Sequence, residues 1–135
     1  MKEYAITVAK KITDSDLISI LCGVTSAACS YWCNEFKYDY TDYDLAKEKL
    51  FQADGKKSDI CYEGVILQML KDGNSVVFVD RDDDEEHSLD FSSLIKGIEL
   101  YMSSEHVSSM DLDEWDDADF DGVIQYALFG EIVFS

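Results

Sequence analysis

Two runs of carboxylates carry most of the chemistry this chain could do. Asp80–Asp90 (DRDDDEEHSLD) and Asp111–Asp121 (DLDEWDDADFD) each place seven acidic side chains within eleven residues. Carboxylates at that density can hold metal dications, act in pairs as general acids and bases, or present a negative surface to a basic partner. The first use makes demands that the spacing can be tested against. Asp117-Ala118-Asp119-Phe120-Asp121-Gly122 opens like a calcium-binding loop, with Ile124 as the apolar eighth residue. Calcium then needs a bidentate carboxylate at position twelve, and that position is Leu128. These aspartates therefore read as the N-cap and first-turn charges of a helix. Cys22, Cys29, Cys33, Cys61, His87 and His106 are zinc-type donors, but their spacing forms no compact ligand pair, and free or buried thiols are the simpler reading. No metal and no cofactor is expected.

Catalysis has little footing. No G-x-S-x-G, P-loop or G-x-G-x-x-G is present. His87 falls in an acidic hairpin and His106 in a polar connector. Glu63, Glu99 and the Asp runs offer paired carboxylates, as any chain with 29 acids does. The expectation is a protein that is not an enzyme.

The third use, a negative surface, is the sharper signal. Residues 1–75 hold 9 bases and 12 acids, whereas residues 76–135 hold 2 bases and 17 acids; no Lys or Arg follows Lys96. Such a field repels nucleic acid and anionic membranes, and it favours basic partners. The residues expected to meet one are Asp80, Asp82, Asp83, Asp84, Glu85 and Glu86 in the first run, and Asp111, Asp113, Glu114, Trp115, Asp116, Asp117 and Asp119 in the second. Trp115, Phe120 and Tyr101 would serve as apolar anchors. The plainer alternative is a solvated acidic face that keeps the chain soluble. A small-molecule or metal-binding module is the reading from another class. Its pocket would lie between the aromatic strand (Trp32, Phe36, Tyr38, Tyr40) and a helix, with Lys37, Lys47, Lys49, Lys56 and Lys57 nearby.

The elements that must position these residues follow from periodicity. Glu3–Lys10 alternates as a half-buried strand. Thr13 with Asp16 forms a capping box, Ile12 staples to Leu17, and the helix buries Leu17, Ile20, Leu21, Val24 and Ala28. Ser30–Tyr40 reads as an aromatic strand exposed on one side. Thr41 with Asp44 opens a helix over 42–53, and Ser58 or Asp59 opens another through Leu70, with Tyr62, Val65, Ile66, Met69 and Leu70 as its stripe. Ser75–Val79 is a buried strand, Asp80–Glu86 a turn, and His87–Leu89 a return strand. Asp90 caps a helix with Phe91, Leu94, Ile95, Ile98 and Met102 inward. Phe120, Val123, Ile124, Ala127 and Leu128 make the last helical stripe, Gly130 its C-cap, and Glu131–Phe134 a short strand. The fold class expected is α+β: an antiparallel sheet covered by several helices, in a single domain over 1–135.

The order of apolar strand, acidic turn with Glu85-Glu86, short strand, helix, acidic spacer and a closing VIQYALFGEIVFS resembles small acidic proteins of phages and prophages of gut bacteria. Ile12–Leu21 and Tyr31-Trp32-Cys33 fit the same pattern, and residues 41–58 fit it least. The resemblance implies phage context, small size and the host cytoplasm, and it carries no functional residue. The lack of an apolar span or signal-like start agrees with a cytosolic chain, so the four Cys are expected as thiols. Together, charge and resemblance predict an acidic protein that binds and inhibits a basic, nucleic-acid-handling host protein, as a DNA-mimicking anti-restriction or anti-CRISPR factor would.

Overall fold

A computed structural model describes residues 1–6, 9–54 and 60–135. Among these residues the chain forms five α-helices and one three-stranded antiparallel sheet, an α+β fold around a single core. Helix α1 spans Asp14–Gly23. Thr13 accepts from the Asp16 backbone N–H while the Asp16 carboxylate accepts from the Thr13 N–H, closing the expected capping box. Leu17, Ile20 and Leu21 are buried, and Ile12 packs against the same core. The helix widens into a π-turn over Val24–Ala28. There the Thr25 and Ser26 hydroxyls donate to the Cys22 and Gly23 carbonyls and compete with the backbone ladder.

Strand β1 is Cys33–Lys37, shorter than the aromatic strand expected over 30–40. Helix α2, Tyr40–Asp54, is capped by Asp39 rather than Thr41: the Asp39 carboxylate accepts from the Thr41 and Asp42 N–H groups at 2.8 and 3.2 Å. Helix α3, Tyr62–Lys71, has Cys61 at its N-cap, with the thiol accepting from the Gly64 N–H at 3.3 Å. The caps expected at Ser58 or Asp59 lie outside the described residues. Strand β2 is Val76–Asp80, β3 is Glu86–Leu89, and helix α4 is Phe91–Met102, capped by Asp90 as expected. A 3₁₀ turn over Leu112–Glu114 precedes helix α5, Asp117–Phe129, which ends at Gly130 with φ of 75°.

The sheet order is β1-β2-β3, with Phe36 opposite Phe78 and Phe78 opposite His87. Those three, with Val76, Asp80 and Leu89, share the face turned to the helices. The other face sets Glu35, Lys37, Glu86 and Ser88 around Val77 and Val79, and Lys37 pairs with Glu86 across it. One face is thus packed and one polar, the usual state of an antiparallel sheet. Two expected strands are not formed by the described residues. The described residues of 3–10 are exposed and outside any strand, and Thr7 and Val8 are not described. Glu131–Phe134 also pairs with no strand. Instead, the Gln125 side chain accepts from the Val133 and Phe134 N–H groups, both at 2.8 Å, and donates to the Phe134 carbonyl at 3.0 Å. One amide side chain does for this tail what a neighbouring strand would do.

Candidate interaction surface

The hairpin between β2 and β3 carries the first acidic run. The period of two that buries Val76 and Phe78 continues into Asp80, so Asp80 points inward and is 3 % exposed. Its carboxylate meets His87 Nε2 at 2.8 Å and accepts the Asp83 N–H at 3.1 Å. The hydrogen bond from His87 holds the Asp80 carboxyl down at about 2. The Asp83 carboxyl, in contact with Asp80, is pushed up by it. The chain's one arginine does not neutralise the tip. Arg81 Nε donates to the Ser30 carbonyl at 2.9 Å and its backbone N–H to the Trp32 carbonyl at 2.8 Å, which ties the base of the hairpin to the approach to β1. Asp82, Asp83, Asp84, Glu85 and Glu86 remain exposed, with Asp84 in the left-handed region at φ of 56°.

The second run divides in the same way. Asp111 caps the 3₁₀ turn and Asp116 caps α5, where Asp119 completes a capping box. Asp119, 3 % exposed, also accepts from the Tyr101 hydroxyl at 2.5 Å and the Ser108 hydroxyl at 3.2 Å. Burial, and then Asp119, push the Tyr101 phenol up. Two residues on, Asp121 accepts from Trp32 Nε1 at 2.7 Å, the Tyr31 hydroxyl at 2.5 Å and Gln125 Nε2 at 3.1 Å. The indole of Trp32 stacks on Phe134 at 5.0 Å with its planes 1° apart. Burial and the neighbouring Asp121 push the Cys29 thiol far up, so it is held as a neutral thiol. Tyr31, Tyr101, His106, Asp121 and Gln125 line a cleft of about 260 Å³ above this network. Asp121 is engaged there by three side-chain donors.

The expected partner set is therefore split. Asp82, Asp83, Asp84, Glu85, Glu86, Asp111, Asp113, Glu114, Asp116 and Asp117 face solvent. Asp80, Asp119 and Trp115 are buried and turned inward. Trp115 stacks edge-on against Tyr101 and donates its indole N–H to the Ser109 carbonyl, and Tyr101 is 2 % exposed, so neither is available as an anchor. Phe120 is half-buried. The calcium-like string 117–122 is helix, with Asp119 and Asp121 already bonded within the protein. The four cysteines are free thiols. Of the residues expected to line an aromatic pocket, Trp32 is core and Tyr38 packs on Tyr43 and Tyr62 at 5.5 and 6.2 Å, while Phe36 lines a small cleft of about 120 Å³ between β1 and the π-turn; Lys56 and Lys57 lie outside the described residues.

Helix α5 runs from the second acidic run to the base of the hairpin. His87, at the base of the hairpin, packs edge-on against Phe129 at the helix's C-terminal end, 4.8 Å between centroids. Asp116 and Asp117 open its N-terminal end. Twelve residue steps separate the ends, a rise of about 18 Å. Sequence reasoning missed the Asp121 node. Its signals were present: a lone Gln125 inside an apolar helix, and a Tyr31-Trp32 pair with two polar tips to satisfy. No helix among the described residues is long and apolar enough to cross a membrane. Comparison with known proteins returns no matching family model, no matching curated protein and no matching solved structure.

Proposed function

We propose that this chain is an acidic binding protein that occupies the basic groove of a nucleic-acid-handling protein and so inhibits it. The observation that carries this reading is a set of ten outward carboxylates, five in the hairpin whose base packs on the C-terminal end of α5 and five at or just before its N-terminal end. Duplex DNA carries about one negative charge per 1.7 Å of axis, so an 18 Å span corresponds to about ten phosphate charges. The ten outward carboxylates are of that number. Both patches are also anchored: Asp80 and Arg81 fix the hairpin, and caps at Asp111 and Asp116 fix the second run. An anchored backbone loses little freedom on association, and a field of one sign raises the rate of encounter with an opposite surface. The resemblance to small phage proteins makes a host defence nuclease, of the restriction or CRISPR kind, the natural class of target in the host cytoplasm.

Affinity capture from bacterial lysate, eluted by a salt step and identified by mass spectrometry, tests the reading. The expected result is a DNA- or RNA-binding enzyme that is released at high salt and displaced by competing duplex DNA. A variant neutralised at Asp82, Asp83, Asp84, Glu85, Glu86, Asp113, Glu114, Asp116 and Asp117 should lose it. Capture that survives this neutralisation, or is indifferent to salt, overturns the proposal.

A further inference from the structure

We propose that the base of the β2–β3 hairpin is a binding site for one divalent transition metal of the zinc class, with His87 Nε2, Asp80 and Glu85 as protein ligands. One ligand atom from each lies within 4.8 Å of the others. His87 Nε2 and the nearer Asp80 oxygen are 2.8 Å apart. Tetrahedral ligands about 2.0 Å from a shared ion stand about 3.3 Å apart, so this hydrogen-bonded pair need open by only about 0.5 Å to admit the ion between them. Glu85, exposed at the turn, supplies the third ligand by a change of side-chain rotamer.

The donor set selects the class of metal. Calcium and magnesium take oxygen ligands, whereas an imidazole nitrogen with carboxylates suits zinc and its neighbours among the first-row dications. The ligands are also oriented. Asp80 is nearly fully buried, with its other oxygen accepting the Asp83 N–H and its own backbone N–H donating to the Glu85 carbonyl. The His87 ring is set by its edge contact with Phe129. Fixing of this kind is what the surroundings of a metal site supply. The opposite side of the ion would face solvent past Glu85, which leaves positions for water. Asp82, Asp83 and Asp84 are exposed in the same turn, and their charge concentrates dications there. The site stands independently of the partner reading, although a bound dication would cancel two charges of the tip.

The test is calorimetric titration of zinc into the metal-free full chain, with magnesium and calcium as comparators and cobalt as a spectroscopic substitute. The expected result is one saturable zinc per chain that excess magnesium or calcium does not displace. Glu85→Gln should weaken it by about tenfold and His87→Gln by about 100-fold. Glu85 is exposed, so its replacement leaves the fold intact, which circular dichroism checks for both variants. Bound cobalt should show ligand-field bands without thiolate charge-transfer absorption. Absence of saturable zinc binding overturns the proposal. So does binding that magnesium matches and both variants leave unchanged, which would be a diffuse counterion layer. A thiolate-to-cobalt band would place the metal on cysteine and overturn it equally.

Discussion

At the scale of single residues, the carboxylates fall into two kinds that the sequence writes identically. Asp90 was legible: it stands just before an apolar helical stripe, and its carboxylate caps α4 by accepting from the Ser93 N–H at 2.7 Å and the Ser93 hydroxyl at 2.8 Å. Those donors hold its pKa below the ordinary carboxylate value. A depressed folded-state pKa contributes stability that is present above about pH 4 and is lost as pH falls through the lower folded value. Asp90→Asn keeps a capping oxygen without the charge, so its urea midpoint should fall less than wild type's between pH 5 and pH 3. Asp90→Ala should cost about 1 kcal/mol at pH 7. Asp121 was not legible, because its donors come from Tyr31 and Trp32, some ninety positions away. Removing it strands the buried Trp32 indole N–H, while Gln125 keeps the Phe134 carbonyl. Asp121→Ala should therefore cost about 3 kcal/mol in urea unfolding and shift Trp emission. Asp117→Ala, exposed one turn earlier, should cost no more than about 0.5 kcal/mol. Equal costs would mean that the buried network contributes nothing.

At the scale of elements, the helices and the paired strands were readable and the C-terminal segment was not, for one physical reason. A helix closes its own hydrogen bonds, so its stripe and caps are written locally; Thr13, Asp90 and Gly130 stand where the periodicity puts them. A strand needs a partner, which local alternation cannot name. Residues 131–134 alternate yet bond to the Gln125 side chain, and Phe134 lies on Trp32 instead of beside a strand. Gln125→Leu should leave far-ultraviolet helicity unchanged while the Val133 and Phe134 amides lose protection in hydrogen exchange; unchanged protection would mean that packing of Phe134 alone holds the tail. Gly97 was equally invisible as a packing residue. A Cβ on it would lie 2.6 Å from the Val123 carbonyl oxygen and 2.6 Å from Ala127 Cβ. The glycine lets α4 and α5 approach, and α5 runs from the second acidic run to the base of the hairpin. Alanine there gains up to about 1 kcal/mol of helix propensity but must push two backbones apart. Gly97→Ala should be net destabilising by about 1–2 kcal/mol, whereas Lys96→Ala beside it should change stability by less than about 0.5 kcal/mol.

At the scale of the molecule, the net charge of −18 must be carried by the fold itself. The described ion pairs are few: Lys37 with Glu86, Lys49 with Asp72, Lys71 with Asp14 and Lys96 with Glu99. Each has at least one well-exposed partner, where a pair contributes little. Beyond Lys96 no Lys or Arg exists to pair with, so acids of the second run meet hydrogen-bond donors, one another and solvent. Self-repulsion should then be the dominant long-range electrostatic effect, and it should oppose folding. Salt screens it over about 10 Å at 0.1 M ionic strength, which is shorter than the span of α5. The melting temperature should therefore rise steeply between low salt and about 0.1 M ionic strength and level off beyond it. Neutralising the five exposed tip acids Asp82, Asp83, Asp84, Glu85 and Glu86 should raise the low-salt melting temperature and flatten this rise. Sodium sulfate must be matched by sodium chloride at equal ionic strength, because sulfate also strengthens apolar burial. A stability that falls with salt would instead mean that local pairs outweigh the global field. The acidic surface would then be held together by its few bases, and the picture of a repulsive face kept for an opposite partner would fail with it.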